Sequence, residues 1–145
     1  MYYMAQRSAS FSARFEPSLL QRLDRRKHGT RESRSTLAER YIDEGLRMDA
    51  HPGIVFRDGP MGRRAALAAG PDVWELVSFL RDLDSKGDAA IREVAEMVNL
   101  SESQVRTALG YYADYPDEID DRIRADEEAA DVAEAAWRRQ QAALS

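Results

Sequence analysis

The sequence predicts a mostly α-helical chain that opens with one short strand. Three observations lead there. Residues 9–15 alternate, with Phe11, Ala13 and Phe15 interleaved by Ser10, Ser12 and Arg14, which is the period of a half-buried strand. From Pro17 onward, apolar residues recur at helical spacing instead. From Glu118 the chain reads as one long acidic helix. The expected order is an arm (1–8), a strand-helix-helix head (9–48), a linker (49–70), a helical domain (71–117) and an amphipathic tail (118–145).

The strand poses a problem of its own. Each of its backbone N–H and C=O groups needs a partner, and even a two-stranded ribbon is marginal unless helices cover one face. With no second strand in view, the partner must come from another copy, so the head is expected to be a homodimer. Glu16-Pro17 then starts a helix, because proline suits the first turn. Leu19, Leu20 and Leu23 mark its buried side, and "KHGTRES" breaks it. Ser33 is the expected N-cap of a second helix, "RSTLAERYIDEGLRM". Thr36 and Glu39 offer a second possible capping box. Leu37, Tyr41, Ile42, Gly45 and Leu46 fall on one face.

In "DAHPGIVFRDGPMGRRAALAAGP", Pro52-Gly53 and Gly59-Pro60 punctuate turns. "GIVF" reads as an extended connector or a brief strand, and a short helix is expected at about 61–68. Asp72 can cap "VWELVSFLRDLD", whose apolar stripe is Val73, Trp74, Val77, Leu80 and Leu83. Two further helices follow, joined at Asn99-Leu100-Ser101. "VAEMVNLSESQVRTAL" has helix-turn-helix spacing, with Val94, Val98, Leu100, Val105 and Ala108 at buried positions and Ala95 at the close approach. Asn99 tolerates the left-handed turn, and Ser101 would cap the second helix. In the tail, Ile119, Ile123, Ala130, Ala133, Trp137 and Leu144 recur at a period near 3.5.

Charge divides the chain. Its net charge is −5 over 145 residues. Residues 1–50 hold ten Lys/Arg and seven Asp/Glu, or +3; residues 51–145 hold eleven and nineteen, or −8. A basic head can meet phosphate where an acidic tail cannot. Two paired strands fit the major groove, so Ser10, Ser12 and Arg14, pointing away from the helices, are the expected base readers. Ser33, Arg34 and Ser35 open the second helix and offer free N–H groups to a phosphate. Ser101, Ser103, Arg106 and Thr107 would form a second, weaker DNA motif, opposed by Glu96, Glu102 and Asp114 nearby.

Residues 8–48 resemble the ribbon-helix-helix family, to which Arc and MetJ belong. The likeness rests on "FSARF", the proline-started helix, and the SRS-x-L-A pattern within "ESRSTLAERYIDEGL". Residues 51–124, with "HPGIVFRDGPMGRRAALAAGPDVWELV" and "LSESQVRTALGYYADYPDEIDDRI", look like a small uncharacterised winged-helix-like domain. In bacteria it occurs as an antitoxin fused to such a head. The resemblance implies a VapB-like antitoxin, which binds operator DNA and represses its own operon. The implied partner is a PIN-type ribonuclease toxin, whose carboxylate cluster an inserted arginine would block. For that contact the tail offers Ile119, Ile123 and Trp137 as apolar anchors and Arg122, Arg124, Arg138 and Arg139 as cations. The alternatives are a stand-alone dimeric repressor without a toxin, whose tail only oligomerises, and an adaptor that has lost DNA binding.

Catalysis is not expected. There are no cysteines and only two histidines, His28 and His51. "GPMGRR" lacks the Lys-Ser/Thr of a phosphate loop. No cofactor, metal or small-molecule substrate is expected. The absence of a long apolar run or a leader-like segment points away from membranes and towards the cytoplasm.

Overall fold

The computed structural model describes residues 8–145; apart from Ser8, the arm expected at 1–8 lies outside them. Among the described residues the order is α1 (Pro17–Lys27), α2 (Arg34–Ala50), β1 (Ile54–Gly59), β2 (Gly62–Leu67), α3 (Val73–Asp82), α4 (Gly87–Met97), α5 (Glu102–Asp114) and α6 (Pro116–Leu144). The chain is mostly helical, as its periodicity predicts, and no described helix is long and apolar enough to cross a membrane. It divides into two compact units, Met1–Asp43 and Glu44–Ser145, with the division inside α2.

In the first unit, residues 8–16 belong to no helix or strand and are exposed, and no backbone hydrogen bond within the described chain involves residues 8–15. The alternating segment therefore forms no ladder here. Pro17 starts α1 at the expected place, with Glu16 at the N-cap. α1 buries none of its residues fully: on the expected buried side Leu20 and Leu23 are half-buried and Leu19 is exposed. On α2 only Leu37, at 0% exposure, is buried on the predicted face; Tyr41, Ile42 and Leu46 are 44–64% exposed. Ser33 caps α2 as expected, its hydroxyl accepting from the Thr36 amide at 3.1 Å and donating to Thr36 Oγ1 at 2.9 Å. That places Thr36 inside the helix, and the alternative box at Thr36–Glu39 does not form.

The second unit corrects the expected linker. Residues 54–67 fold into an antiparallel hairpin, paired from Ile54↔Leu67 to Gly59↔Gly62. The helix expected at 61–68 is strand β2, and the fold class of one short strand per chain gives way to a two-stranded sheet elsewhere. Pro60 and Gly62 (φ 103°) make the bend, a backbone angle glycine adopts without strain. Ile54, Ala65 and Leu67 pass into a core shared with Val73, Leu76 and Val77 of α3, Val94 of α4, and Val105, Ala108 and Tyr111 of α5. Burial of these side chains, not helical propensity, fixes 62–67 as a strand.

Asp72 occupies the N-cap of α3 but makes no capping hydrogen bond. Its carboxylate is engaged by Arg64 Nε at 2.6 Å and by the Trp74 indole N–H at 3.1 Å. A buried charge gains more from a guanidinium than from one amide. Between α4 and α5, Asn99 takes φ 54°, and Ser101 with Gln104 forms a reciprocal capping box at 3.1 and 2.9 Å. α6 is one helix of 29 residues. Ile119 and Ile123, at 4% and 3% exposure, belong to the core. They are therefore structural and not free anchors for a partner, which corrects the expected tail boundary at 118.

Candidate nucleic-acid and partner interfaces

The head carries two unsatisfied features in one unit. One is the segment 8–15, whose backbone groups have no partner among the described residues. The other is an apolar groove of about 470 Å³ between α1 and α2, lined chiefly by Phe15, Leu19, Leu20, Leu23, Tyr41 and Ile42. Ser10, Ser12 and Arg14 are all exposed on that segment.

The start of α2 differs in detail from the sequence reading. Ser33 spends its hydroxyl on the cap. Arg34 donates from Nε to Asp24 Oδ1 at 2.8 Å and from Nη2 to Asp24 Oδ2 at 2.5 Å. That fork, by hydrogen bonding above all, holds the Asp24 carboxyl below its usual range and raises the Arg34 guanidinium. The charge expected to meet phosphate is thus engaged inside the head. Ser35 remains exposed in the first turn. The helix break "KHGTRES" is also a cluster of cations, for which the run "RRKHGTR" is the sequence signal.

The residues expected to form a second DNA motif lie at the start of α5 and are largely engaged. Ser101 caps the helix, Thr107 Oγ1 donates to the Ser103 carbonyl at 3.0 Å, and Arg106 pairs with Asp88 at 2.9 Å. With Glu102 exposed beside them, this edge has no free cation to offer a phosphate.

In the second unit a polar network that the sequence did not reveal fixes the end of α2. Arg47 Nη1 donates to the Tyr111 hydroxyl at 2.8 Å and to Glu118 Oε1 at 3.0 Å, and Tyr111 donates to Glu118 Oε2 at 2.6 Å. Burial, followed by the Glu118 carboxylate, raises the Tyr111 phenol far above its ordinary value. The Arg47 guanidinium lies 4.0 Å from the Tyr115 ring centre. His51 Nε2 is 2.8 Å from Asp114 Oδ2. Glu44 binds Arg63 of β2 through two hydrogen bonds. The run "YYADYPDE" supplies Tyr111, Asp114, Tyr115 and Glu118, and only folding shows that they meet Arg47 and His51.

α6 has two halves. In its base, Ile119 and Ile123 are buried, Arg122 stacks 5.5 Å over the Trp74 ring, and Arg124 pairs with Asp121 at 3.0 Å. From Asp126 to Ser145 every residue is exposed except Ala136, an arm of about 28 Å at 1.5 Å per helical residue. It bears Val132, Trp137 and Leu144, at 68%, 58% and 82% exposure. Arg138 pairs with Glu134 at 2.6 Å, and Arg139 is exposed beside Trp137. Of the expected tail contacts, the structure leaves Trp137, Arg138 and Arg139 on the arm; Arg122 and Arg124 belong to the base. The arm's N-terminal half is acidic, with Asp126, Glu127, Glu128, Asp131 and Glu134, and its C-terminal half carries Arg138 and Arg139. Compared with protein-family models, curated proteins and solved structures, the chain matches none.

Proposed function

We propose that this chain is a dimeric operator-binding protein whose projecting arm neutralises a ribonuclease partner, the arrangement of a type II antitoxin. The observation that supports it is the head: an exposed, alternating segment without backbone partners among the described residues, and an uncovered apolar groove of the same unit. A second copy answers both needs. Two such segments paired antiparallel complete each other's ladder and turn Phe11 and Phe15 towards the helices. Ser10, Ser12 and Arg14 are then left outward as a reading face for a major groove. The arm supports the second half of the reading. Its acidic stretch complements the basic rim of an RNA-cleaving enzyme, and Trp137 is its largest exposed anchor. Arg139, and Arg138 once it leaves Glu134, are the cations that would enter an acidic metal site.

Selecting duplexes from a randomised library with the full chain tests the head. The expected product is a palindromic site bound by a dimer, and Arg14→Ala should weaken that site by about 1–3 kcal/mol. A monomer by sedimentation that still selects a site would refute the shared ribbon. Ending the chain after Ala125 tests the arm, because it spares Ile119 and Ile123. The shortened protein should keep its operator affinity and lose protection against a co-expressed PIN-type ribonuclease that the full chain neutralises. Retained protection would refute the arm as the neutralising element, and a full chain that protects against no such ribonuclease would leave the stand-alone repressor.

A further inference from the structure

We propose that the arm of α6 pairs antiparallel with the same arm of a second copy of this chain, through its apolar face and two reciprocal Arg139–Glu128 ion pairs. The inference goes beyond the function proposed above and does not rest on it.

From Asp126 to Ser145 the helix projects from the core, yet it is not polar all round. At about 100° per residue, Val132, Ala133, Ala136, Trp137 and Leu144 fall on one face about 140° wide. Gln140 and, at the base, Asp126 are the polar residues within it. An amphipathic helix gains most of its stability by burying such a face. Among the described residues nothing covers this one beyond Ala136, and Val132, Trp137 and Leu144 stand exposed along it.

Charge selects the occupant. From Asp126 to Glu134 there are five acids and no base, and from Ala135 to Ser145 there are two arginines and no acid. A parallel copy would set acid against acid along half the arm. A wholly basic partner would match the acidic half and oppose Arg139. The arm's own sequence, reversed, matches both halves. The local geometry agrees. Glu128 and Arg139 are eleven residues apart, which is three turns, so they lie within about 20° of each other on the edge beside Val132. Among the described residues neither makes an ion pair, whereas Arg138 is taken by Glu134. Two arms crossing antiparallel near Ala133 bring Arg139 of each against Glu128 of the other, and Trp137 of each over Ala130 of the other. The alanines let the two helix axes approach closely. The ion pairs, exposed to water, set orientation and register, and the apolar face supplies the affinity. A ribonuclease bound to this arm competes with the second copy, because both need Trp137 and Arg139.

The chain has no cysteine, so one introduced cysteine carries a spin label at a single place. Ala135→Cys and Ala142→Cys each put a label on the face turned away from the pair. Electron-electron distances between labelled full-length chains then read the arrangement, with circular dichroism as the folding control. In the antiparallel pair the offset along the axis is about 4 Å at 135 and about 25 Å at 142. The mean distance should therefore be about 10 Å longer at 142 than at 135. Arg139→Glu should weaken pairing about tenfold, read from the dependence of modulation depth on protein concentration. Adding Glu128→Arg to it should restore pairing, since the swapped charges match again. Equal distances at 135 and 142 would mean a parallel pair and overturn the proposal. Distributions without a defined distance would leave the face to a different protein and overturn it as well. An Arg139→Glu variant that pairs as before, or one that the second exchange does not rescue, would overturn the ion pairs and the register they set.

Discussion

Replacing Ile123 by alanine, set against replacing Trp137, separates the two halves of α6. Ile123 is 3% exposed and packs in the core with Ile119, whereas Trp137 is 58% exposed. Truncating a buried isoleucine costs about 2–5 kcal/mol; about 3 kcal/mol suits a side chain at the edge of the core. For a unit of about 100 residues, each kcal/mol moves the midpoint by roughly 4–8 °C. Ile123→Ala should therefore lower the thermal midpoint by about 12–24 °C. Ile123→Val, at about 0.5–1.5 kcal/mol, gives a milder and still measurable step. Trp137→Ala, on the projecting arm, should stay within about 0.5 kcal/mol, a shift of no more than about 4 °C. Thermal unfolding followed by near-ultraviolet circular dichroism reads all three. Equal losses at 123 and 137, or no loss at 123, would refute the division of α6 at Ala125.

Three further outcomes follow from the polar sites. Burial, and then the neighbouring Asp72, raise the Glu75 carboxyl above its usual range. A raised acid favours the fold below its unfolded value and loses that contribution as pH rises through the folded one. Glu75→Gln should therefore raise the urea midpoint at pH 7, with the gain shrinking towards pH 4. Asp120 behaves oppositely: the Tyr112 hydroxyl at 2.7 Å, and then Arg81, hold its carboxyl below the usual range. Its contribution is full above the ordinary Asp value of about 3.9 and is lost as pH falls through the lower folded value. Asp120→Asn should thus lower the midpoint at pH 7 and approach the wild type in strong acid. At Asn99, with φ 54°, glycine should be nearly neutral in urea denaturation, whereas valine should cost about 1–2 kcal/mol.

The sequence by itself determined what depends on near neighbours. Pro17 opens α1, Ser33 caps α2, and Ser101 caps α5. Asn99 accommodates the left-handed turn, and the stripe over Val94, Ala95, Val105 and Ala108 points to the core. Each follows from contacts within a few residues, where spacing and side-chain chemistry suffice. Tertiary structure alone decided the rest. "MGRRAALA" is rich in helix formers, yet Ala65 and Leu67 gain more by burial under α3 and α5 with β1 as their ladder partner. The tail's apolar period is nearly uniform, so it does not show that Ile119 and Ile123 are covered while Val132 and Trp137 are not. Arg34 looks like a free cation until the turn brings Asp24, ten residues earlier, within 2.5 Å. Burial and charge pairing are set by what arrives from elsewhere in the chain, and periodicity shows which face is apolar but not which surface meets it.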